Sequence, residues 1–280
     1  MNIQWFPGHM AKAKREIGES LKMADIVIEI ADCRAPRASR SSDLGHLINR
    51  KPLIVALNKC DLADSSVTCD WIEHFIKAGT VAVPICSVTG DNFAELRRML
   101  DSLAQEKRER DQARGMKGRA IKILVAGVPN VGKSAFINKF SGRSAMEIGN
   151  RPGVTKMPQW IRVGDGYDLL DTPGVLAPKF NDELTGLRLV WIGAIKDEII
   201  DKTEAAMLLC EFLRDNYPES LREQYKLDGE LGGGYEILLE IGKKRGCIVS
   251  GGEVDEHRAS GIILDDFRAA KTGRITLENV

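Results

Sequence analysis

Short apolar runs recur along the first 178 residues of this 280-residue chain, separated by polar stretches. Runs of this length, bounded by turn-forming residues, predict buried strands rather than helices. Because most of them are apolar on both faces, we expect a mostly parallel sheet covered on each side. The predicted strands cover residues 25–31, 53–57, 81–85, 121–126, 160–163 and 167–170.

Helical patterns separate several of these runs. Residues 67–78 and 92–106 are predicted helices, and the second repeats apolar side chains at helical spacing on one face. Strands that alternate with helices are typical of a doubly wound α/β domain. Residues 105–120 are rich in charge and end in Arg-Gly-Met-Lys-Gly-Arg, which indicates a helix end that runs into an exposed connector.

Strand patterns stop after Pro178, and helical patterns follow. Glycine clusters at 232–234 and 251–252 separate the later helices. We therefore predict an α/β domain over residues 1–178 and a small all-helical domain over residues 179–280. The predicted helices of the second domain cover residues 184–200, 203–217, 235–245 and 255–271.

The composition is that of a folded, soluble protein, with 43% hydrophobic and 29% charged residues. No apolar run approaches the roughly 18–20 residues that a membrane span needs. The first residues lack the cationic and apolar parts of a signal peptide. Six cysteines without a Cys-x-x-Cys pair favour reduced thiols over a zinc site or disulfides. We expect a cytoplasmic protein with no membrane partner.

The net charge is zero, but its distribution is uneven. Residues 1–178 carry a net charge of +6, and residues 179–280 carry −6. Basic side chains cluster at 12–22, 34–40 and 107–119, where they could contact a nucleic-acid backbone. A solvated surface explains each cluster equally well, so charge alone selects no partner.

The segment Gly127–Ser134 reads GVPNVGKS and fits the phosphate-binding pattern G-x-x-x-x-G-K-[ST]. It follows a predicted strand and opens a predicted helix, which is the context that this pattern requires. Backbone N–H groups of the loop and of the helix start would hold phosphates. Lys133 would reach the β- and γ-phosphates, and the Ser134 hydroxyl would bind Mg²⁺. The predicted phosphate-site residues are Val131, Gly132, Lys133, Ser134 and Ala135.

A second phosphate-site motif, Asp171-Thr-Pro-Gly174, follows the last predicted strand. Asp171 is placed to hold Mg²⁺ through water, and the Gly174 N–H could approach the γ-phosphate because no side chain intervenes. Thr155 lies in a Pro-Gly segment between the two motifs and could also coordinate Mg²⁺. An ordinary turn explains Thr155 as well.

A base-recognition motif, Asn58-Lys59-Cys-Asp61, ends the second predicted strand. The Asp61 carboxylate can accept hydrogen bonds from N1–H and the 2-amino group of guanine, a donor pair that adenine lacks. Asn58 could bond the purine edge, and the Lys59 stem could cover the ring. The loop around Ser87 follows the next strand and is a plausible further base contact. Together these motifs predict guanine-nucleotide binding.

The order of the motifs is unusual. Guanine-nucleotide-binding proteins ordinarily place the phosphate loop first and the Asn-Lys-x-Asp motif later, whereas this chain reverses that order. The same sheet forms when the old chain ends are joined and new ends are cut at the surface. We therefore predict a circularly permuted domain with residues 105–120 as the joint. The nucleotide state would then be transmitted from Gly174 into the helical domain.

Hydrolysis needs a group that orients the attacking water. Val175 and Leu176 follow Gly174 and cannot do so, so intrinsic hydrolysis should be slow. His9 is the candidate catalytic residue, although a structural or RNA-contacting role explains it too. Asn130 could help to hold K⁺ between the phosphates, or it could stabilise the loop.

These motifs, together with Trp5-Phe6-Pro7-Gly8-His9-Met10 and Asp32-Cys-Arg34-Ala-Pro36, closely resemble the circularly permuted YlqF/RbgA family, ribosome biogenesis GTPase A. The ending from Phe267 to Leu277 also looks like the family's ending. The resemblance implies a cytoplasmic GTPase in late assembly of the large ribosomal subunit, activated by that subunit. It implies GTP or GDP and Mg²⁺ as ligands, and rRNA and ribosomal proteins as partners. We also expect a monomer with no DNA partner. The implied nucleotide and Mg²⁺ residues are Asn58, Lys59, Asp61, Gly132, Lys133, Ser134, Thr155, Asp171 and Gly174.

Two other functions compete with this one. A regulatory GTPase could act on a protein partner through the helical domain, which the zero net charge permits. An ATP-using metabolic kinase is disfavoured by Asp61, which selects guanine.

Overall fold

The computed structural model describes residues 15, 17–48, 51–115, 118–142, 159–164, 166–172 and 182–280. Within these ranges the chain forms two compact units. One contains the described residues up to 172 together with Thr276–Val280, and the other contains residues 182–275. We predicted a second domain over residues 179–280, with its last helix ending at 271; the last five residues group with the first unit instead.

The first unit is built on a six-stranded sheet with the order β3-β2-β1-β4-β6-β5. All neighbours are parallel except β5 and β6. These strands agree with the prediction to within about a residue, because a strand buried on both faces has a strong apolar signal. The strands are β1 Ile26–Asp32, β2 Leu53–Asn58, β3 Val81–Pro84, β4 Ile121–Ala126, β5 Gln159–Val163 and β6 Tyr167–Asp171.

The antiparallel pair departs from a wholly parallel sheet for a simple reason. Only a short connection separates β5 from β6, and a parallel pair needs a crossover of a dozen or more residues. Gly166 lies in this connection with φ +78°, a backbone region that glycine enters without strain. The two strands therefore form a hairpin at one edge of the sheet.

Residues 17–23 are helical, and four further α-helices follow among the described residues of the first unit. Ile17 and Leu21 pack with Val27 and Leu124 in one apolar cluster, whereas Trp71 and neighbouring side chains pack in a second. Burial of such side chains supplies most of the favourable free energy of folding. The helices are α1 Ser42–Leu47, α2 Ser65–Lys77, α3 Phe93–Ala113 and α4 Lys133–Ser141.

The predicted joint of the permuted chain is more ordered than expected. Helix α3 continues to Ala113, so residues 107–113 are helical, although most of them are exposed as expected. Asp111 is buried and pairs with Lys107 and Arg119. Arg119 also donates to Asp25 at 2.7 Å, next to the start of β1. Residues 108–110 and 112–115 are exposed, as expected, whereas the pairs of Asp111 and Arg119 tie the joint to the start of the sheet.

The second unit contains five helices and a single isolated bridge between Ile248 and Val254 among its described residues. The predicted helix over 184–200 is broken, because Gly193 adopts φ +75° and a 3-10 turn follows. The helix at Pro218 was not predicted, although proline suits the first position of a helix. The helices are α5 Glu183–Trp191, α6 Lys202–Asn216, α7 Pro218–Tyr225, α8 Gly234–Lys244 and α9 Glu256–Arg268.

Arg268 ties the start of this unit to its last helix. Its guanidinium donates to Asp197 at 2.7 and 2.9 Å and to the Val190 carbonyl at 2.9 Å. Two parallel hydrogen bonds to one carboxylate form a strong, directional contact. This pairing holds the chain after α5 where the sequence pattern predicted more helix. None of the described helices is long and apolar enough to cross a membrane.

Candidate nucleotide-binding site

The predicted site residues that the structure describes follow the carboxyl ends of neighbouring strands. The phosphate-binding loop, Gly127–Gly132, joins β4 to α4, and Asp171 ends β6. Asn58 ends β2, and Ser87 lies just beyond β3. In open α/β sheets ligands bind at this edge, because the loops there converge above the strands. His9, Thr155 and Gly174 lie outside the described residues.

Two glycines allow the phosphate-binding loop to lie close to its neighbours. Gly127 has φ +154°, and an added Cβ would lie 2.3 Å from the Ile30 carbonyl oxygen. Gly132 has φ +96°, and its Cβ would lie 2.3 Å from Asn58 Nδ2. Any larger residue would have to displace the backbone of β1 or the Asn58 side chain. The two glycines of the G-x-x-x-x-G pattern are therefore needed for the path of the loop.

Asn58 connects the phosphate-binding loop to the loop after β3. Its Nδ2 donates to the Val131 carbonyl at 2.7 Å, and its Oδ1 accepts from the Ser87 N–H at 3.0 Å. The side chain is buried, and an unpaired amide there would be costly. The structure shows both ends of the amide bonded to backbone, and the suggested contact of Asn58 with the purine edge stays a prediction. Asn58 thus positions the two loops.

Lys59 links the same loop to a buried carboxylate. Its Nζ donates to the Asn130 carbonyl at 2.7 Å and lies 2.9 Å from Asp32 Oδ2. Lys59 has φ +62°, which turns the chain into the short helical turn Cys60–Leu62 that carries Asp61. Asp61 is exposed, so its carboxylate is accessible to a ligand.

Asp32 and Arg34 form an ion pair that the sequence analysis did not assign to the site. Arg34 donates to Asp32 from Nε at 3.0 Å and from Nη2 at 2.9 Å, and both side chains are buried. Burial favours the neutral carboxyl, but the charges and hydrogen bonds of Arg34 and Lys59 outweigh it and hold the pKa of Asp32 well below its ordinary value. The detectable signal was an acidic residue at the carboxyl end of a buried strand that borders β4.

Lys133 begins α4 and lies against the phosphate-binding loop. Its Nζ donates to the carbonyls of Gly127 at 3.0 Å and Val128 at 2.8 Å. Burial lowers the pKa of the Lys133 ammonium to about 8, and the charge of Asp171 opposes that shift. The ammonium therefore bonds two neutral carbonyl oxygens in a poorly hydrated position, under the electrostatic influence of one carboxylate.

Asp171 and Ser134 supply oxygen atoms of the kind that Mg²⁺ binds. Asp171 is fully buried, pairs with Val125 in the sheet, and acts electrostatically on Lys133. Magnesium is usually held by one or two such groups together with substrate phosphates, rather than by a cage of protein carboxylates. The described residues contain no group of three or more His, Cys, Asp or Glu that could hold a metal ion. The donor set fits a phosphate-bound Mg²⁺.

Comparisons with known proteins agree with this geometry. A family model described as "50S ribosome-binding GTPase" matches residues 122–226. Ribosome biogenesis GTPase A of Bacillus licheniformis is 46% identical over 278 residues, which is 99% of this chain and 98% of that protein. The protein of the same name from Thermotoga maritima is 31% identical over 276 residues, 99% of this chain and 94% of that protein.

The chain belongs to the ribosome biogenesis GTPase A family. The crystal structure of GNP-bound YlqF from T. maritima matches with a TM-score of 0.66 at 28% identity, over 96% of this chain and 98% of that chain. Family membership, the permuted P-loop GTPase fold and GTP hydrolysis are therefore confirmed predictions. The individual site residues of this family member stay predictions.

Replacing Gly132 with alanine should weaken nucleotide binding. The new methyl group would push the Asn58 amide out of its contact with Val131, so we expect the Kd for GDP to rise at least about tenfold. Gly142→Ala is the matched control, because Gly142 is also left-handed but has nothing within 4 Å of an added Cβ. Titration with a fluorescent GDP analogue measures both variants. Equal losses of affinity in the two variants would show that backbone strain, not displacement of Asn58, is the cause.

Nucleotide binding should also take up protons near pH 8. Phosphates beside Lys133 would raise its pKa from about 8 toward the ordinary 10.5, so a lysine that is partly neutral gains a proton on binding. We expect uptake of about half a proton at pH 8 and much less at pH 7, where the free protein is already protonated. Calorimetry in buffers of different ionisation enthalpy measures it. A Lys133→Arg variant should lose the proton uptake. Equal proton uptake at pH 7 and pH 8 in the unmodified protein would contradict the prediction.

Proposed function

We propose that this GTPase acts in late maturation of the large ribosomal subunit and that GTP hydrolysis drives its release. The relatives are named for ribosome biogenesis, and the matching family model is described as binding the 50S particle. The net charge of +6 over residues 1–178 is compatible with contact to rRNA. We propose a cytoplasmic monomer whose partners are rRNA and ribosomal proteins, not DNA or membrane.

Contacts between the Asn58–Asp61 segment and the phosphate-binding loop support the nucleotide part of the proposal. Asn58 and Lys59 each bond a carbonyl of that loop, so base recognition and phosphate recognition share one edge of the sheet. Asp61 would accept hydrogen bonds from guanine N1–H and the 2-amino group. The Ser87 hydroxyl is buried with no hydrogen-bond partner among the described residues, and it would contact the base.

Phosphate binding would use residues that follow the same loop at the start of α4, together with residues from other loops. Lys133 and the first N–H groups of α4, near Ser134 and Ala135, would hold the β- and γ-phosphates. Ser134 and Asp171 would hold Mg²⁺, Asp171 through water, with Thr155 joining when the γ-phosphate is bound. When bound there, Mg²⁺ would neutralise part of the negative charge of the phosphates. The Gly174 N–H would meet the γ-phosphate, and the Asn130 side chain would assist K⁺ binding.

Hydrolysis by the isolated protein should be slow. Val175 and Leu176 have apolar side chains that cannot orient a water molecule, so another group has to do so. We propose His9 as that group, acting when the ribosomal particle is bound. Binding of the GTPase to the ribosomal particle would then be coupled to GTP hydrolysis through the N-terminal segment.

A second candidate function is a regulatory GTPase that acts on a protein partner. One observation in the helical unit favours this function. The apolar side chains of Ile248 and Val249, at the isolated bridge, are each 44% exposed and could contact a protein partner. Residues 179–280 are also acidic, which does not suit simple electrostatic contact with RNA. Under this reading the particle would not be required for activity.

GTP hydrolysis with and without purified large subunits, in K⁺ buffer, tests the proposal. We expect at least about a tenfold stimulation of the rate, because the particle would orient the attacking water. His9→Ala should lose the stimulation while keeping the same Kd for GTP. A stimulated rate that is lower in Na⁺ than in K⁺ buffer would support the proposal that Asn130 assists K⁺ binding.

Sedimentation supplies the control for this experiment. The protein should pellet with the particle when a non-hydrolysable GTP analogue is bound, and treatment with RNase should release it. A Lys133→Ala variant, impaired in nucleotide binding, should not respond to the analogue. If the particle does not stimulate hydrolysis and the protein does not co-sediment with it in any nucleotide state, the proposed function is overturned. That result would favour the protein partner.

A further inference from the structure

Three residues near the end of the chain are buried against the nucleotide-binding unit. We call Thr276–Glu278 the C-terminal strap. All three are buried, with exposed fractions of 3%, 2% and 4%, whereas Asn279 and Val280 beyond them are exposed. The strap follows Ile275 of the helical unit directly but belongs to the first unit. Terminal residues are usually poorly ordered unless specific contacts hold them.

The strap first holds the loop that follows β1. The Leu277 N–H donates to the Arg34 carbonyl at 2.7 Å. The Glu278 carboxylate accepts from the Arg37 N–H at 2.6 Å and from the Ala38 N–H at 3.1 and 3.2 Å. Hydrogen bonds between a carboxylate and backbone N–H groups are short and strong, and here they are shielded from water. Glu278 therefore fixes the backbone of this loop.

The strap also holds the segment that follows β2 and carries Asp61. The Asp64 N–H donates to Thr276 Oγ1 at 3.1 Å, three residues after Asp61. Trp71 Nε1 donates to the Glu278 carbonyl at 2.9 Å, and Trp71 lies in the core on α2. Asp64 in turn caps α2 by accepting from the Ser66 N–H at 2.8 Å. The start of the helix after Asp61 is thus fastened to the strap.

A continuous series of contacts leads from the strap to the phosphate-binding loop. The carbonyl of Arg34 is held by Leu277, and its guanidinium holds Asp32. Asp32 pairs with Lys59, and Lys59 bonds the Asn130 carbonyl. Each member is buried or partly buried, so water does not readily replace these contacts. In sequence, the strap contacts the loop after β1, which precedes the base-recognition motif, and Asp64, which follows it.

A role in stability alone is the competing explanation. A buried carboxylate with three backbone contacts and an apolar Leu277 would stabilise any unit to which they are attached. That explanation predicts fewer folded molecules when the strap is removed, with unchanged base preference in those that remain folded. It does not explain why the polar contacts fall on the loops after β1 and β2 and on the helix that Asp64 caps.

We propose that the C-terminal strap positions the guanine-recognition segment, with Glu278 as its main positioning residue. The strap holds Lys59 through Arg34 and Asp32, and it holds Asp61 through Asp64. The completed base site therefore includes Thr276–Glu278. This inference rests on the proposed contact between Asp61 and guanine.

Paired truncations test the strap. Removal of residues 276–280 deletes every strap contact, whereas removal of residues 279–280 deletes only the exposed end and is the matched control. The measured quantities are the Kd values for GDP and for IDP, whose base lacks the 2-amino group that Asp61 would bind. We expect the first truncation to raise the Kd for GDP at least about tenfold and to reduce the GDP-over-IDP preference. The control should change neither quantity.

Full-length variants keep the test valid if the longer truncation does not fold. Glu278→Ala removes the acceptor for Arg37 and Ala38, and Glu278→Gln restores one acceptor oxygen without the charge. We expect the base preference to fall in the alanine variant and to recover partly in the glutamine variant. Active-site titration separates lost affinity from lost folded protein. An unchanged GDP-over-IDP preference in both the folded alanine variant and the folded truncation would overturn the proposal.

Asp61→Asn separates failure of this inference from failure of the proposed base site. This variant should itself reduce the GDP-over-IDP preference, because an amide cannot accept from both guanine donors. If Asp61→Asn leaves the preference unchanged, the assignment of Asp61 to the base is wrong, and the strap proposal falls with it. If Asp61→Asn changes the preference and strap variants do not, only the positioning role is wrong.

Discussion

The buried amide of Asn58 joins two segments that lie 73 positions apart in the chain. By bonding the Val131 carbonyl and the Ser87 N–H, it brings the phosphate-binding loop, the base-recognition motif and the loop after β3 to one place. The close approach requires Gly132, because a side chain there would collide with the amide. The rest of the site depends on this contact, since Lys59 and Asp61 lie within three residues after Asn58.

The permuted order of the motifs has little effect on this arrangement. A parallel sheet depends on which strands are neighbours, and β1 lies between β2 and β4 although the latter is far along the chain. What permutation requires is a stable connection between the old ends. Helix α3 and the paired charges of Asp25, Asp111 and Arg119 provide it, so the joint is part of the folded unit. The nucleotide-binding unit also includes the returning strap.

Sequence patterns predicted the strands well and the long-range contacts poorly. A strand buried on both faces has a strong local signal, as does the GVPNVGKS loop. The charge density of residues 105–120 correctly indicated exposure, but it did not show that the helix continues to Ala113 or that Asp111 is buried in an ion pair. The break at Gly193 and the positioning role of Asn58 depend on partners that are distant in sequence. The contacts of Arg34 with Asp32 and of Glu278 with Arg37 and Ala38 were missed for the same reason.

Hydrogen exchange with and without GDP tests the central claim, that one site is built from the segment around Asn58 and the loop around Gly132. GDP bound across both segments would restrict their opening, and exchange reports such local opening directly. We expect peptides covering residues 58–62 and residues 127–134 to exchange more slowly together when GDP is added. Slower exchange confined to residues 127–134, with residues 58–62 unchanged at saturating GDP, would contradict the account.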